Sequence, residues 1–174
     1  MSSTERTQYL TFKVADEQYA VEILRVREII EAPPITQVPA TPEAIRGVVN
    51  LRGSVVPVID PGVRFGEGPR PMTRWNCIVF VDVNPDGSPI TLGLLVDAIG
   101  QVAEIDAGAI EPVPPFGADI PLEFLRGLAT FGRKFLHLLD IDRVLSTSEL
   151  VAARSLAPAA SSEPATPAAT EGVR

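Results

Sequence analysis

Ile45-Arg46-Gly47-Val48-Val49-Asn50-Leu51-Arg52-Gly53-Ser54-Val55-Val56-Pro57-Val58-Ile59-Asp60 sets one arginine between two glycines amid runs of valine and isoleucine. Val48, Val49, Val55, Val56, Val58 and Ile59 favour half-buried, pleated backbone, whereas Gly47 and Gly53 tolerate backbone angles and close approaches that a side chain forbids. The stretch therefore reads as two strands with Arg52 at the bend between them. That arrangement suits a side chain that is presented rather than one that performs chemistry.

The same kind of signal recurs on both sides of this hairpin. Period-two alternation in Tyr9-Leu10-Thr11-Phe12-Lys13-Val14 and Tyr19-Ala20-Val21-Glu22-Ile23, joined by Ala15-Asp16-Glu17, predicts a hairpin with one wet face. Leu24-Arg25-Val26 predicts a helical turn before Arg27 to Glu31 resumes as strand. Pro33, Pro34 and Pro39 then interrupt pairing. Thr41-Pro42-Glu43-Ala44-Ile45 predicts a one-turn helix with Thr41 as N-cap and Gly47 as its end. The region from Pro61 to Thr73 reads as a linker between two strand-rich halves.

In the second half, Ile78 to Val83 and Ile90 to Val96 flank a turn at Asn84-Pro85-Asp86-Gly87-Ser88-Pro89, and Gln101 to Glu104 supplies a short strand. Phe124 to Phe131 and Lys134 to Leu139 form a last hairpin around Gly132-Arg133, and Asp140 to Leu150 has helical character. About ten short strands in two sets of five predict an all-β fold that removes its edges by closing into small barrels. The expected organisation is one domain over 8–150, with barrel halves near 8–70 and 74–139 and a closing helix at 140–150. Residues 1–7 and the Ala/Pro-rich 151–174 offer little to bury and are expected to be disordered.

Composition narrows the function classes. A net charge of −7, with Lys13 and Lys134 the only lysines, argues against a nucleic-acid binder, which needs clustered cations on one face. The longest apolar stretches break at Pro57, Asp97 or Asp140 before spanning length, and no basic, apolar leader opens the chain, so no membrane insertion is expected. A cytosolic protein is the expectation, and the single Cys77 fits a reducing compartment.

Chemistry finds no constellation to use. A Walker loop, a G-x-S-x-G elbow, a C-x-x-C pair and an H-E-x-x-H helix are all missing. His137, the sole histidine, reads as a surface or partly buried strand residue, and Cys77 as packing. Asp140 and Asp142 have a spacing a metal could exploit, but helix-start capping is the better reading. No catalytic residue, metal or cofactor is assigned.

What remains is a recognition surface. Arg52 at a hairpin bend is ordinarily solvated or paired with a carboxylate such as Glu28; if the two meet at the mouth between barrels, the pair offers a planar five-donor fork to a partner. Val26, Ile29 and Ile30 flank Glu28, and alternation cannot bury both Ile29 and Ile30 on one face, which leaves one free to line an apolar contact rimmed by Arg46 and Arg52. Gly47 and Gly53 are backbone necessities. The candidate partner site is Val26, Glu28, Ile29, Arg46, Gly47, Asn50, Arg52 and Gly53.

These motifs together resemble the chemotaxis coupling protein (CheW) family. Gly47-Val48-Val49-Asn50-Leu51-Arg52-Gly53 leading to Pro57 and Asp60 is similar to its G-V-x-N-L-R-G-x-x-x-P-x-x-D, and Val26-Arg27-Glu28-Ile29 to its V-x-E-I. Gly93-Leu94-Leu95-Val96-Asp97-Ala98-Ile99-Gly100, Phe124-Leu125-Arg126-Gly127-Leu128 and Leu138-Leu139-Asp140-Ile141 resemble its later segments, so the likeness covers Gln8 to Leu150. Asp60-Pro61-Gly62 departs from the family's D-L-R.

The resemblance implies two five-stranded, SH3-like barrels with a groove at their boundary. It also implies an adaptor without catalytic activity, working at cytoplasmic receptor arrays. Its partners there are the cytoplasmic tip of a chemoreceptor and the regulatory domain of a CheA-type histidine kinase. The arginine and glutamate matching Arg52 and Glu28 are associated in the family with that coupling. A small-ligand-binding or hydrolytic β-barrel using the inter-barrel groove is the alternative.

Overall fold

The computed structural model describes residues 5–64, 70–112 and 124–156. Ten strands follow one another: β1 (Arg6–Val14), β2 (Glu17–Glu22), β3 (Val26–Glu31), β4 (Ile45–Leu51), β5 (Ser54–Ile59), β6 (Cys77–Val83), β7 (Ile90–Val96), β8 (Ala98–Asp106), β9 (Leu125–Phe131) and β10 (Lys134–Leu139). A single helical turn, α1 (Pro61–Arg64), follows β5, and α2 (Thr147–Leu156) follows β10. The all-β architecture, the two sets of five strands and the C-terminal helix are as expected.

Allotment of strands to barrels is not. One five-stranded sheet runs β8-β1-β2-β10-β9 and the other β3-β6-β7-β5-β4, so the split into barrels from 8–70 and 74–139 is corrected. Each half begins with a hairpin, β1–β2 or β6–β7, that leaves its own half and pairs with strands of the other. Both exchanged hairpins join their new sheet through a parallel contact, Leu138 beside Ala20 in one and Val58 beside Gly93 in the other.

The two barrels are copies of one plan, and a repeat that the sequence reading missed shows it. Ile45 to Asp60 and Leu125 to Asp140 align without a gap 80 residues apart, placing Arg46-Gly47 on Arg126-Gly127 and Asp60 on Asp140. In each copy the glycine lets a returning loop close the sheet. Thr36 exchanges two backbone hydrogen bonds with Val48, and Glu111 does the same with Leu128. A Cβ on Gly47 would stand 2.1 Å from the Thr36 carbonyl oxygen, and one on Gly127 2.7 Å from that of Glu111. Glycine is required for closure, since a β-carbon cannot occupy either space.

Exchange also changes what is buried. Each barrel has a small core of its own: Tyr9, Ala20, Ala103, Leu136 and Leu138 in one, Val56, Val58, Ile78, Phe80 and Leu95 in the other. A larger core lies between them, where Leu10, Phe12, Tyr19 and Val21 meet Val79, Val81, Leu92 and Leu94. The β1–β2 hairpin is therefore buried on both faces, and its expected wet face does not exist. Thr11 is buried because its hydroxyl donates to the Gln101 carbonyl (2.7 Å) and accepts the Gln101 N–H (2.8 Å), which satisfies it at the bulge between β1 and β8.

Local expectations are corrected in three further places. The one-turn helix at Thr41–Ile45 is a single turn closed by the Ile45 N–H on the Pro42 carbonyl, and the Thr41 hydroxyl donates back to Val38 rather than capping. Strand β8 extends well beyond Gln101 to Glu104, over Ala98–Asp106, because it pairs with β1 along nearly the whole of that strand, from Arg6 to Lys13. The closing helix begins at Thr147, not Asp140, and runs past 151; Ser146 and Glu149 form a reciprocal capping box that starts it. The disorder expected over 1–7 and 151–174 is corrected where the chain is described, since Arg6 and Thr7 belong to β1 and 151–156 to α2; residues 1–4 and 157–174 lie outside the described residues.

Because the inter-barrel core draws on both halves, the barrels are expected to unfold together. Phe12→Ala, at a fully buried position of that core, is expected to lower the unfolding free energy by about 3–5 kcal/mol. A denaturant titration should show one transition shifted as a whole; two separable transitions would refute the shared core.

Candidate functional site

Arg52 and Gly53 form a two-residue loop between the paired Leu51 and Ser54. Both have left-handed backbone, φ +55° and +89°, the signature of a type I′ turn whose twist matches the flanking strands. Nothing crowds Gly53, so its glycine is needed for conformation, whereas Gly47 is needed for space. Asn50 fastens the loop by accepting the Gly53 N–H on Oδ1 (2.9 Å). Arginine in the first left-handed position is held there at a conformational cost.

Its partner is Glu28. Arg52 Nε donates to Glu28 Oε1 (3.0 Å) and Nη2 to Oε2 (2.8 Å), a two-point fork on a carboxylate. The hydrogen bonds from Arg52 hold the Glu28 carboxyl below its ordinary range against the opposing effect of desolvation, and Glu28 in turn raises the Arg52 pKa. The Arg52 side chain remains 75% exposed, so the fork is fixed on one side and open to solvent on the other.

An open groove of about 880 Å³ runs beside this pair, floored by Leu51, Val55, Val56 and Ile90. Two further arginine–acid pairs edge it. Arg27 lies 3.5 Å from Asp82, with Thr91 donating to the same carboxylate, and Arg154 of α2 reaches Asp86 and the Ser88 carbonyl. Every wall belongs to the second barrel or to α2. The Arg52–Glu28 pair thus sits away from the boundary between barrels, which is packed with apolar side chains; the expected mouth between barrels is corrected to a groove on one barrel.

The candidate residues separate accordingly. Glu28, Asn50, Arg52 and Gly53 gather at the turn. Ile29 points to the opposite side of β3 and is the exposed member of the Ile29/Ile30 pair, while Val26 packs on the inter-barrel core. Arg46 is not a rim charge beside Arg52: its Nη1 donates to the fully buried Asp60 (2.8 Å), and it lines a separate pocket with Pro33, Pro34 and Met72. Sequence reasoning missed Arg27, Asp82 and Arg154, whose only advance signal was charge of opposite sign on segments not yet known to be neighbours.

The remaining chemistry-bearing residues are occupied structurally. His137 Nδ1 lies 3.0 Å from the Gln18 carbonyl and its ring packs on Tyr19. Burial, and to a lesser extent Glu31, pushes the Cys77 thiol up. Asp142 does not cap a helix; it accepts Arg25 and the Asn84 N–H (2.7 Å), tying the chain between β2 and β3 to the β6–β7 turn. Among the described residues no three His, Cys, Asp or Glu side chains gather as a metal site, and no helix is long and apolar enough to cross a membrane.

Comparison with known proteins places this geometry. The family model for the CheW-like domain matches residues 8–149. The chain is 32% identical over 143 residues to the chemotaxis protein CheW of Klebsiella aerogenes, covering 82% of this chain and 84% of that protein. It is 34% identical over 149 residues to protein FrzA of Myxococcus xanthus, covering 81% and 86%. The crystal structure of the scaffolding protein TtCheW from Thermoanaerobacter tengcongensis superposes with a TM-score of 0.74 at 33% identity, covering 84% of this chain and 92% of that one.

The depressed Glu28 pKa gives a direct check. A carboxylate whose folded pKa is lowered contributes stability above its unfolded pKa and loses it as pH falls through the folded value. In a carboxyl-carbon NMR titration, Glu28 is expected to titrate below the ordinary glutamate value of about 4.3, and Arg52→Ala is expected to move it upward. An ordinary midpoint in the unmodified protein would contradict the fork.

Proposed function

The chain belongs to the CheW-like domain family, and from that premise we propose that it is a non-catalytic adaptor holding a chemoreceptor tip and the regulatory domain of a CheA-type histidine kinase at once, at cytoplasmic receptor arrays. The observation that carries the reading is the Arg52–Glu28 fork, anchored on one side, exposed on the other and set beside an open groove. Its apolar floor of Leu51, Val55, Val56 and Ile90 suits a helix lying in a groove, the recognition mode that a helical receptor tip can use. The three arginine–acid pairs around it supply orientation rather than bulk affinity.

Function on this reading is a matter of proximity. Holding both partners raises the effective concentration of kinase beside receptor and lets the conformation of one bias the other. The chain itself contributes surfaces and their fixed separation. Paired arginines in the groove also limit wrong partners, because a ligand must match or displace a defined charge pattern.

The test is a binding assay with a purified receptor cytoplasmic fragment and a CheA-type regulatory domain, separately and together. Unmodified protein should form the ternary complex. Arg52→Ala should keep its melting temperature yet bind the receptor fragment about tenfold more weakly, the size of a typical recognition residue. Glu28→Lys should be worse than Glu28→Ala, since a second cation then faces Arg52. Unchanged binding by Arg52→Ala would remove the groove from the site, and failure of both partners to bind unmodified protein would overturn the adaptor reading.

A further inference from the structure

We propose that Arg70 is a clasp that sets the angle between the two barrels, and that Gly62 is the seat it requires. Strand β7 ends in the second barrel at Val96 and β8 opens the first at Ala98, so Asp97 alone makes the crossover. Asp97 already touches the first barrel: its Oδ2 accepts the N–H of Ala15 in the β1–β2 turn (2.8 Å), and its own N–H donates to the Lys13 carbonyl (2.8 Å). Asp60, fully buried at the end of β5, belongs to the second barrel and accepts Arg46 and the Gly62 N–H.

Arg70 joins these two acids. Its Nε donates to Asp97 Oδ2 (3.1 Å) and its Nη2 to both Asp60 Oδ1 (3.0 Å) and Asp97 Oδ1 (3.2 Å). A continuous polar chain therefore runs from Arg46 on β4 through Asp60, Arg70 and Asp97 to the backbone of the β1–β2 turn. A guanidinium suits this place because its planar fork can face two carboxylates at once, which a lysine ammonium cannot do with the same geometry. Burial opposes its charge, yet its hydrogen bonds to Asp97 and the charge of Asp60 outweigh that and raise its pKa.

The seat is specific. A Cβ on residue 62 would lie 2.0 Å from Arg70 Nη1 and 2.9 Å from Cζ, so the guanidinium packs against bare backbone. Ordinarily a flexible arginine end would swing aside for a methyl group at little cost. Here two carboxylates hold it, so the methyl and the clasp exclude one another. The segment expected to be a passive linker thus returns a side chain to the crossover point. This role does not depend on which partners the protein binds.

A double-mutant cycle combined with a distance measurement tests the clasp. In a Cys77→Ser background, spin labels at exposed Gln8→Cys on the first barrel and Glu31→Cys on the second report the barrel-to-barrel distance. Arg70→Ala and Gly62→Ala should each shift and broaden the distance distribution and lower the melting temperature, while Gly62→Ala should add nothing once Arg70 is alanine. Arg70→Lys should restore only part of the narrow distribution, and Arg70→Gln serves as the read-out if Arg70→Ala does not fold. An unchanged distribution in Arg70→Ala or Arg70→Gln would overturn the proposal, as would effects of the two alanine substitutions that simply sum.

Discussion

Exchange of the first hairpin of each half is the constraint on which the rest of the molecule depends. A strand in an ordinary small barrel shows one face to its own core and one to water. Here β1, β2, β6 and β7 show the second face to the sister barrel, so Phe12 and Val14 meet Val79 and Val81 in one apolar mass. Strands buried on both faces read as nearly continuous hydrophobic runs, and Ile78 to Val81 and Leu92 to Val96 have that form. Polar groups in such strands have no water to turn to, which is why Thr11 is doubly hydrogen-bonded to Gln101 and why charge gathers at Asp97, where the chain passes from one barrel to the other.

The same constraint explains what the sequence revealed. Strands and turns are local, and their signals in valine runs and in Asn84 to Pro89 or Arg52-Gly53 translated directly into β4 to β7. Pairing is not local. Beyond the β1–β2 hairpin, which was legible, nothing in the alternation of Tyr9 to Val14 states that its other neighbour is β8, and that alternation pointed to a wet face that exchange fills. The equivalence of Ile45–Asp60 and Leu125–Asp140 was in the sequence, and would have exposed the duplicated plan, although not the exchange. At the candidate site, complementary charge made Glu28 the natural partner for Arg52. The groove beside them stayed hidden because Arg154 reaches it only after α2 folds across the second barrel.

Comparison of the duplicated hairpins bears on why Arg52 is strained. In the first barrel the corresponding turn is Gly132-Arg133, between the paired Phe131 and Lys134. There glycine occupies the first loop position with φ +65°, and Arg133 is not left-handed. The fold therefore accepts a two-residue hairpin in which the arginine bears no such cost. In the second barrel the order is reversed, and Arg52 takes φ +55° ahead of Gly53.

That reversal aims the guanidinium. From the first loop position Arg52 lies above β3 and reaches both oxygens of Glu28, with Asn50 bracing the turn from beneath. Backbone strain that a sister element avoids, and that persists where surrounding bonds over-determine it, points to a side chain held for presentation rather than to a requirement of the hairpin. Barrel closure needs Gly47 and Gly127 alike, but only the second barrel has an arginine in the left-handed place. The difference between the two copies of one plan thus falls at the residue whose exposed fork faces the groove.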